Sequence, residues 1–575
     1  MQPTKNYILT VFFLLLSLGC LMAQHSTDLL DRCQVIFVDH DEINVIIDRP
    51  SSDELKEISK IASIDHGSTD KVIYLNIAEE DFTTFLDKQI SFTIDKEYYQ
   101  PRKLKMLGLE TLNDIISKDP NGCLTTTWDF YPTYEAYLGM MQQFATDYPD
   151  ICQLVNLGTL SSGREIIALK ISDNVTEREN EPKFLYTSTM HGDESAGYPL
   201  LLRLSDYLLC NYDADQRVTD LVNGIEIWIN PLANPDGTYR TGNNSVAGAS
   251  RRNANNIDLN RNFPDHEDGP NPDGNSYQEE TLIFIDLAHE DFNMSGNFHG
   301  GAEVFNYPWD TYERRTADDS WWICQGRMYV DTVHLHSPQG YLNDLDNGVT
   351  NGYDWYEVNG GRQDFMTHTH RGREFTLELS NQKLLDSDEL PDHWEYNYRS
   401  LLNYLEASSL GLRGVITDSV TGEPVEAEVF ISGHDEDNSQ VFSQLPHGGY
   451  FRYLDNANYD VTYSAEGYIS QTLAVAVDKN AVMIQDVALV PESVSTTEIP
   501  ESELEIQTGD QRITVNNKGT DKTLVLYTAD GKILLQDYPV KTGINQIYLD
   551  EVVISGIYLL HITDGERELV QKVIF

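Results

Sequence analysis

His191 and Glu194 stand three residues apart in Met190-His-Gly-Asp-Glu194, directly after the apolar run Lys183-Phe-Leu-Tyr-Thr-Ser-Thr. An imidazole and a carboxylate at that spacing suit a metal ion, and His299, in Asn297-Phe-His-Gly-Gly301, offers a second neutral nitrogen. Two imidazoles and one carboxylate leave the fourth position of a zinc ion open to water, as catalytic zinc requires. An isolated His-x-x-Glu is weak evidence, so the weight falls on what accompanies it. Hydrolysis would also need a base. Glu378 lies in the alternating run Phe375-Thr-Leu-Glu-Leu, facing away from Leu377 and Leu379, and a carboxylate in an apolar strand calls for a purpose. Glu374 has the same strand parity, so periodicity leaves both open.

Four further segments follow in order: Arg251-Arg-Asn-Ala-Asn-Asn-Ile-Asp-Leu-Asn-Arg-Asn-Phe-Pro264, His299-Gly-Gly-Ala-Glu-Val-Phe-Asn-Tyr-Pro-Trp-Asp310, Trp355-Tyr-Glu-Val-Asn-Gly-Gly-Arg-Gln-Asp364 and Thr376-Leu-Glu-Leu-Ser380. Together they resemble the zinc metallocarboxypeptidases, and more narrowly the branch containing carboxypeptidases N, E, M and D, from Tyr131 to near Leu405. The resemblance implies one zinc ion on His191, Glu194 and His299. It makes Glu378 the general base that later protonates the leaving amine. It gives stabilisation of the oxyanion to Arg251, with Arg252 a solvated neighbour. Arg261, beside Asn260, would grip the terminal carboxylate with its planar fork. Tyr356 would close over the substrate, and Asp310 with Gln363 would hold a basic side chain, which implies release of C-terminal Arg or Lys. Two departures bear on the pocket. Phe365-Met-Thr-His stands where relatives have an Asn-Tyr pair, and no Cys shortly precedes Glu378. Two other readings are an inert peptide-binding relative and a zinc peptidase or amidase acting on cell-wall peptides or amino-acid conjugates. Every expected position is filled, against the first, and Asp310 with Gln363 argues against the second.

These residues must be positioned by a scaffold. From about residue 121 to 409, helical and strand patterns alternate, with Asp215 to Leu221 preceding Ile225-Glu-Ile-Trp-Ile-Asn230. Such alternation predicts an α/β fold, a mostly parallel (mixed) sheet clothed by helices. In such sheets ligands gather at the carboxyl ends of strands, where His191, Asn230, His299 and Glu378 fall. Residues 24–120 read as a small α+β module with strands at Cys33-Gln-Val-Ile-Phe-Val and Lys71-Val-Ile-Tyr-Leu-Asn-Ile and a helix over Asp53 to Ile61. Its place resembles that of prosegments that cover carboxypeptidase active sites. Arg102-Lys-Leu-Lys105 after it reads as a solvated linker, with a processing site the alternative. Residues 410–493 turn to period-two patterning and predict a β-sandwich similar to the transthyretin-like module of the same branch. A linker at 494–503 leads to a last β module, 504–575, with a hairpin turn at Asp530-Gly531. Its Ser555-Gly-Ile-Tyr-Leu and Lys572-Val-Ile-Phe575 resemble the sorting domains of type IX secretion.

The chain has 575 residues, enough for several domains, and 40 basic against 92 acidic residues give a net charge of −52. That argues against nucleic acid and anionic membrane as partners and favours cationic peptides or a salty medium; the two resemblances imply peptide or protein C-termini and the type IX secretion machinery as partners. Lys5, the apolar run Ile8 to Leu18 and Cys20-Leu-Met-Ala23 predict a signal peptide over 1–23, hence a secreted or cell-surface protein, and no later apolar run predicts a transmembrane segment. Five cysteines remain after it, so at least one is unpaired, and spacing reveals no bridge. Asp-rich loops such as Asp265 to Asp273 contain no complete calcium motif.

Overall fold

The computed structural model describes residues 27–575 apart from 41, 66–67, 69–70, 116–118, 120–121, 493–496, 501, 510, 529–531, 550–555 and 566. The expected signal peptide, part of the linker and the Asp530-Gly531 turn lie outside the described residues. Residues up to Val490 form one compact unit and Pro491–Phe575 a second.

The first unit begins with an antiparallel sheet of four strands in the order Ser63–Asp65, Val72–Ala78, Glu42–Asp48, Phe92–Ile94. Helices Thr27–Asp39, Ser52–Ser59 and Glu79–Asp87 accompany it. The run from Cys33 to Val38, expected as a strand, belongs to the first helix. Its β-branched residues suggest a strand, yet only a helical stripe is used: Cys33 is buried, Leu29, Leu30, Ile36 and Phe37 pack on the module's core, and Val35 and Val38 face solvent. The segment after the module is no free linker. Lys103 N donates to Asp386 Oδ1 (2.8 Å), Lys105 N to Ser387 Oγ (2.9 Å), and Arg102 Nη1 to Gln382 Oε1 (2.8 Å). Its backbone amides find their acceptors on the peptidase-like body, which lays it along that surface.

That body is built on eight strands in the order Val349–Asn351, Glu303–Tyr307, Arg373–Leu379, Met294–His299, Lys183–Ser188, Glu226–Asn230, Glu165–Ile171, Cys152–Thr159. The four central strands, Arg373–Leu379 to Glu226–Asn230, run parallel, whereas Glu165–Ile171, Cys152–Thr159 and Glu303–Tyr307 pair antiparallel to their inner neighbours. Every residue of Lys183–Ser188 and of Met294–His299 is buried, as expected of strands covered on both faces by helices. Helices Gly197–Asn211, Asp319–His336 and Leu390–Ala407 bury their apolar residues in the same core. A disulfide joins Cys123 to Cys210 in the first of these helices, and Cys33, Cys152 and Cys324 are free.

Strands from Gly411–Asp418 to Val487–Pro491 form two facing sheets with a core that includes Leu412, Ile416, Val429, Tyr450 and Val461. This sandwich is welded to the eight-stranded body. Phe451 and Tyr453 enter the body's own core, and Asp318, fully buried, meets Arg373 (2.6 Å), Arg452 (3.3 Å) and His434 (3.0 Å). Both arginines are buried too, so Asp318→Ala would take a carboxylate from two buried cations, with Asp435 left to Arg452. It is expected to cost about 3 kcal/mol or more of unfolding free energy, against at most about 1 kcal/mol for Asp437→Ala, which breaks the more exposed Arg314 pair. Urea titrations of both variants check this, and equal losses would contradict it.

The second unit carries a five-stranded and a three-stranded sheet with a core of Ile513, Val515, Leu524, Leu526, Leu560 and Ile562. Lys522–Thr528 and Ile533–Val540, the strands flanking the expected hairpin turn, pair antiparallel. Among the described residues no helix is long and apolar enough to cross a membrane.

Candidate metal centre and peptide-binding site

The chain leaves Lys183–Ser188 through Thr189, held in the left-handed region at φ 63°, a local strain of the kind found at functional sites. Gly192 then passes so close to another chain segment that a Cβ there would lie 2.3 Å from the Gly237 carbonyl carbon. This tight course turns His191 and Glu194 toward the end of the neighbouring strand, where His299 is the last residue. Three donor atoms converge: His191 Nδ1 and His299 Nδ1 each lie 2.8 Å from Glu194 Oε2 and 3.0 Å from one another. These separations lie a little inside the ~3.4 Å edge of a tetrahedron with bonds of about 2.0–2.1 Å. All three side chains are buried.

Their electrostatics suit a cation. Burial outweighs the Glu194 carboxylate and pushes His299 down to about 4, which keeps it neutral. Burial and Arg251 push His191 down, but Glu194 and Asp258 more than offset them and carry it up. Glu194 is held well below the usual carboxylate range despite burial, by both histidines. The far ring nitrogens are also placed. His191 Nε2 meets Asp258 Oδ1 at 3.0 Å, and His299 Nε2 lies 2.8 Å from Asn297 Nδ2, whose amide oxygen accepts from Thr187 Oγ1. Two imidazoles, neutral once a metal ion displaces any proton on His191, and an ionised carboxylate fit zinc.

Glu378, Arg251, Asn260 and Tyr356 line the same small cavity, about 20 Å³, with the three donors. Glu378 sits beside His299 in register on the adjacent parallel strand. Glu374, two repeats further from the strand end, is occupied by Arg362 (3.0 Å) and Ser295 (2.7 Å). Arg251 reaches Glu194 Oε1 through Nη1 (2.9 Å) and Asp258 Oδ2 through Nε (3.0 Å). Arg261 donates Nη1 to the Asn260 carbonyl (2.8 Å), while its buried Nη2 has no hydrogen-bond partner among the described residues. Asn260 Oδ1 accepts from Arg362 N (2.9 Å) and so anchors the segment carrying Gln363. Burial pushes the half-buried Tyr356 hydroxyl up to about 12, so it stays protonated at physiological pH.

Asp310 and Gln363 come together in a buried recess, Gln363 Nε2 donating to Asp310 Oδ1 (3.0 Å). Burial raises Asp310 to about 6. Gly352 forms the wall, since a Cβ there would lie 1.7 Å from Asp310 Oδ1. The divergent Phe365-Met-Thr residues are buried, with Phe365 packed 5.4 Å from Phe263, so they build structure beside the recess.

Arg252 is not solvated. It is 8% exposed and lines a cavity of about 400 Å³ together with Ser63 and Asp81 of the N-terminal module, which covers it. Asp258 caps the turn Leu259–Arg261 while holding His191 and Arg251, a role that the sequence does not announce. An Asp two residues before Asn260 offered a capping signal, but its tertiary partners had no local signature. Asn230 sits at a strand end but serves structure, donating to the Ile167 carbonyl (2.7 Å).

A buried three-donor metal site beside a carboxylate, at the carboxyl edge of a mixed α/β sheet, defines the metallohydrolase class. Residues 137–400 match the zinc carboxypeptidase family. The chain is 32% identical over 381 residues to rat (Rattus norvegicus) carboxypeptidase N catalytic chain, spanning 60% of this chain and 82% of that one. It is 35% identical over 379 residues to carboxypeptidase D of Mus musculus, covering 63% of this chain. It spans about a quarter, 27%, of the length of that relative. The crystal structure of carboxypeptidase A from Helicoverpa armigera shares the fold, with a TM-score of 0.50 and 18% identity over 64% of this chain and 98% of that one. The chain belongs to the zinc carboxypeptidase family.

Proposed function

We propose that the protein is a secreted zinc metallocarboxypeptidase that removes Arg or Lys from the C-termini of peptides and proteins. One observation carries the reading: His191, Glu194, His299, Glu378, Arg251 and Asn260 share a single buried cavity. Zinc, when bound, supplies Lewis acidity, polarising the scissile carbonyl and acidifying water. The chain's residues do the rest. Glu378 accepts a proton from the attacking water and returns it to the leaving amine, so peptide and water give a shortened peptide and a free amino acid. Arg251 donates to the oxygen that becomes negative. Arg261 Nη2 and Asn260 take the terminal carboxylate, and the Tyr356 hydroxyl closes over it. Asp310, with Gln363, faces the basic side chain. Residues 1–23 would direct export, 410–493 form the transthyretin-like module, and 504–575 act as a type IX sorting domain that brings the protein to the cell surface or beyond.

The test of specificity is hydrolysis of blocked dipeptides ending in Arg or Phe, with a chelator control. Preference for Arg requires ionised Asp310. Because its pKa is raised to about 6, the preference is present above that pH and lost below it, so kcat/KM for Arg should fall through pH 6 with no such limb for Phe. Asp310→Asn should reduce the Arg/Phe ratio at pH 7.5 by about thirtyfold. A ratio that is flat with pH and unchanged by the substitution would remove the pocket assignment while leaving the peptidase.

A further inference from the structure

Asp364 is 1% exposed and contributes no side chain to the metal cavity, yet both its oxygens are engaged beside the recess. Asp310 N donates to Oδ1 (3.1 Å) and Oδ2 (2.9 Å), and Thr311 N donates to Oδ2 (2.9 Å). A carboxylate that gathers consecutive backbone amides fixes the path of that backbone. Here the path is the turn that presents Asp310. The same turn holds the opposite wall: Tyr353 N donates to the Trp309 carbonyl (2.9 Å) and Val358 N to the Asp310 carbonyl (3.1 Å), so the segment carrying Tyr356 hangs from it. Asn306 and Gln363 both donate to Asp310 Oδ1 (3.1 and 3.0 Å), which sets the side-chain rotation once the backbone is fixed.

Burial, and then the Asp310 carboxylate, hold Asp364 well above the usual carboxylate range, so it acts here as an acceptor of backbone amides and leaves the pocket's charge to Asp310. An incoming guanidinium or ammonium relieves the cost of burying the Asp310 carboxylate, whereas an apolar side chain does not. We propose that Asp364 is a positioning residue for selection of the basic C-terminal side chain: it holds the Asp310–Thr311 turn and so aims the Asp310 carboxylate. This rests on the reading of the recess as a pocket for Arg or Lys.

The test uses the zinc-loaded full chain as wild type, Asp364→Asn, Asp310→Asn and the double variant, with kcat and KM for Arg- and Phe-ending blocked dipeptides. The Arg/Phe ratio of kcat/KM is independent of how much protein is folded or open, since that fraction cancels. Asp364→Asn should lower the ratio by about ten- to hundredfold, mainly through a higher KM for Arg. The double variant should show no greater loss than Asp310→Asn, because Asp364 acts through Asp310. A ratio unchanged by Asp364→Asn, or losses that add in the double variant, overturns the proposal. A wild type without Arg preference overturns the pocket reading first and this inference with it. If Asp364→Asn does not fold, Asp364→Glu, which keeps the carboxyl but moves the acceptors by one methylene, is judged by the same ratio.

Discussion

Glu378→Gln should lower kcat for C-terminal hydrolysis by about 10³- to 10⁴-fold while zinc content and KM stay near wild type. The substitution keeps shape and a hydrogen-bonding oxygen, so strand Arg373–Leu379 retains its register beside His299. What it removes is the ability to take a proton from water and return it to the amine. Glu378 is not one of the three donors, which is why metal binding should survive. The measurements are steady-state kinetics and metal analysis on the same preparation. A variant that keeps more than about a tenth of wild-type kcat would take the base role from Glu378. Glu374 could not inherit it: that carboxylate is buried against Arg362 and Ser295 and lies outside the cavity.

The parts of this site that were legible in the sequence share a physical cause. His191 and Glu194 are local partners, His299 ends an all-buried strand and Glu378 nearly ends a neighbour buried at all its other positions, so chemistry and periodicity coincide at one edge of the sheet. The roles of Arg251, Arg261 and Tyr356 had no such signal and rested on resemblance. What stayed hidden depends on contacts distant in sequence. Asp258 acts on His191 across 67 positions, and Asp364 on Asp310 across 54. Arg252 was expected in solvent because nothing in its neighbours announces that the module covers it. In the fold, the parallel centre was readable from apolar runs. The antiparallel edge strands were not, since direction leaves no trace in composition. The helix at Cys33 to Val38 runs against expectation because four adjacent β-forming side chains, Val35 to Val38, outweigh a stripe visible only over three turns.

The N-terminal module supplies the last expected effect. Ile64, buried in its sheet, lines the metal cavity itself, and Ser63 Oγ donates to Asp258 Oδ2 (2.8 Å), behind the ligand His191. Tyr98 donates to Asp193 Oδ2 (3.1 Å), Lys56 pairs with Glu357 at 2.7 Å, and Tyr356 packs on the module's core. A substrate that needs Tyr356 to move and the cavity to open must therefore displace the module. Because the module is tethered, displacement is opposed by a high effective concentration. A closed state favoured by about 3 kcal/mol leaves roughly one site in a hundred open. Ile64→Asp, which puts a charge into that buried contact, should raise the activity of the full chain about hundredfold, and cleavage near Arg102–Lys105 with release of the module should do the same. The docking bonds of Lys103 and Lys105 predict slow cutting at that segment in the intact chain. Rates followed during limited proteolysis, with the products weighed by mass spectrometry, separate the alternatives: activity rising with loss of the module makes it an inhibitory cover, whereas an intact chain as active as both altered forms makes it a structural support whose contacts leave substrate a path.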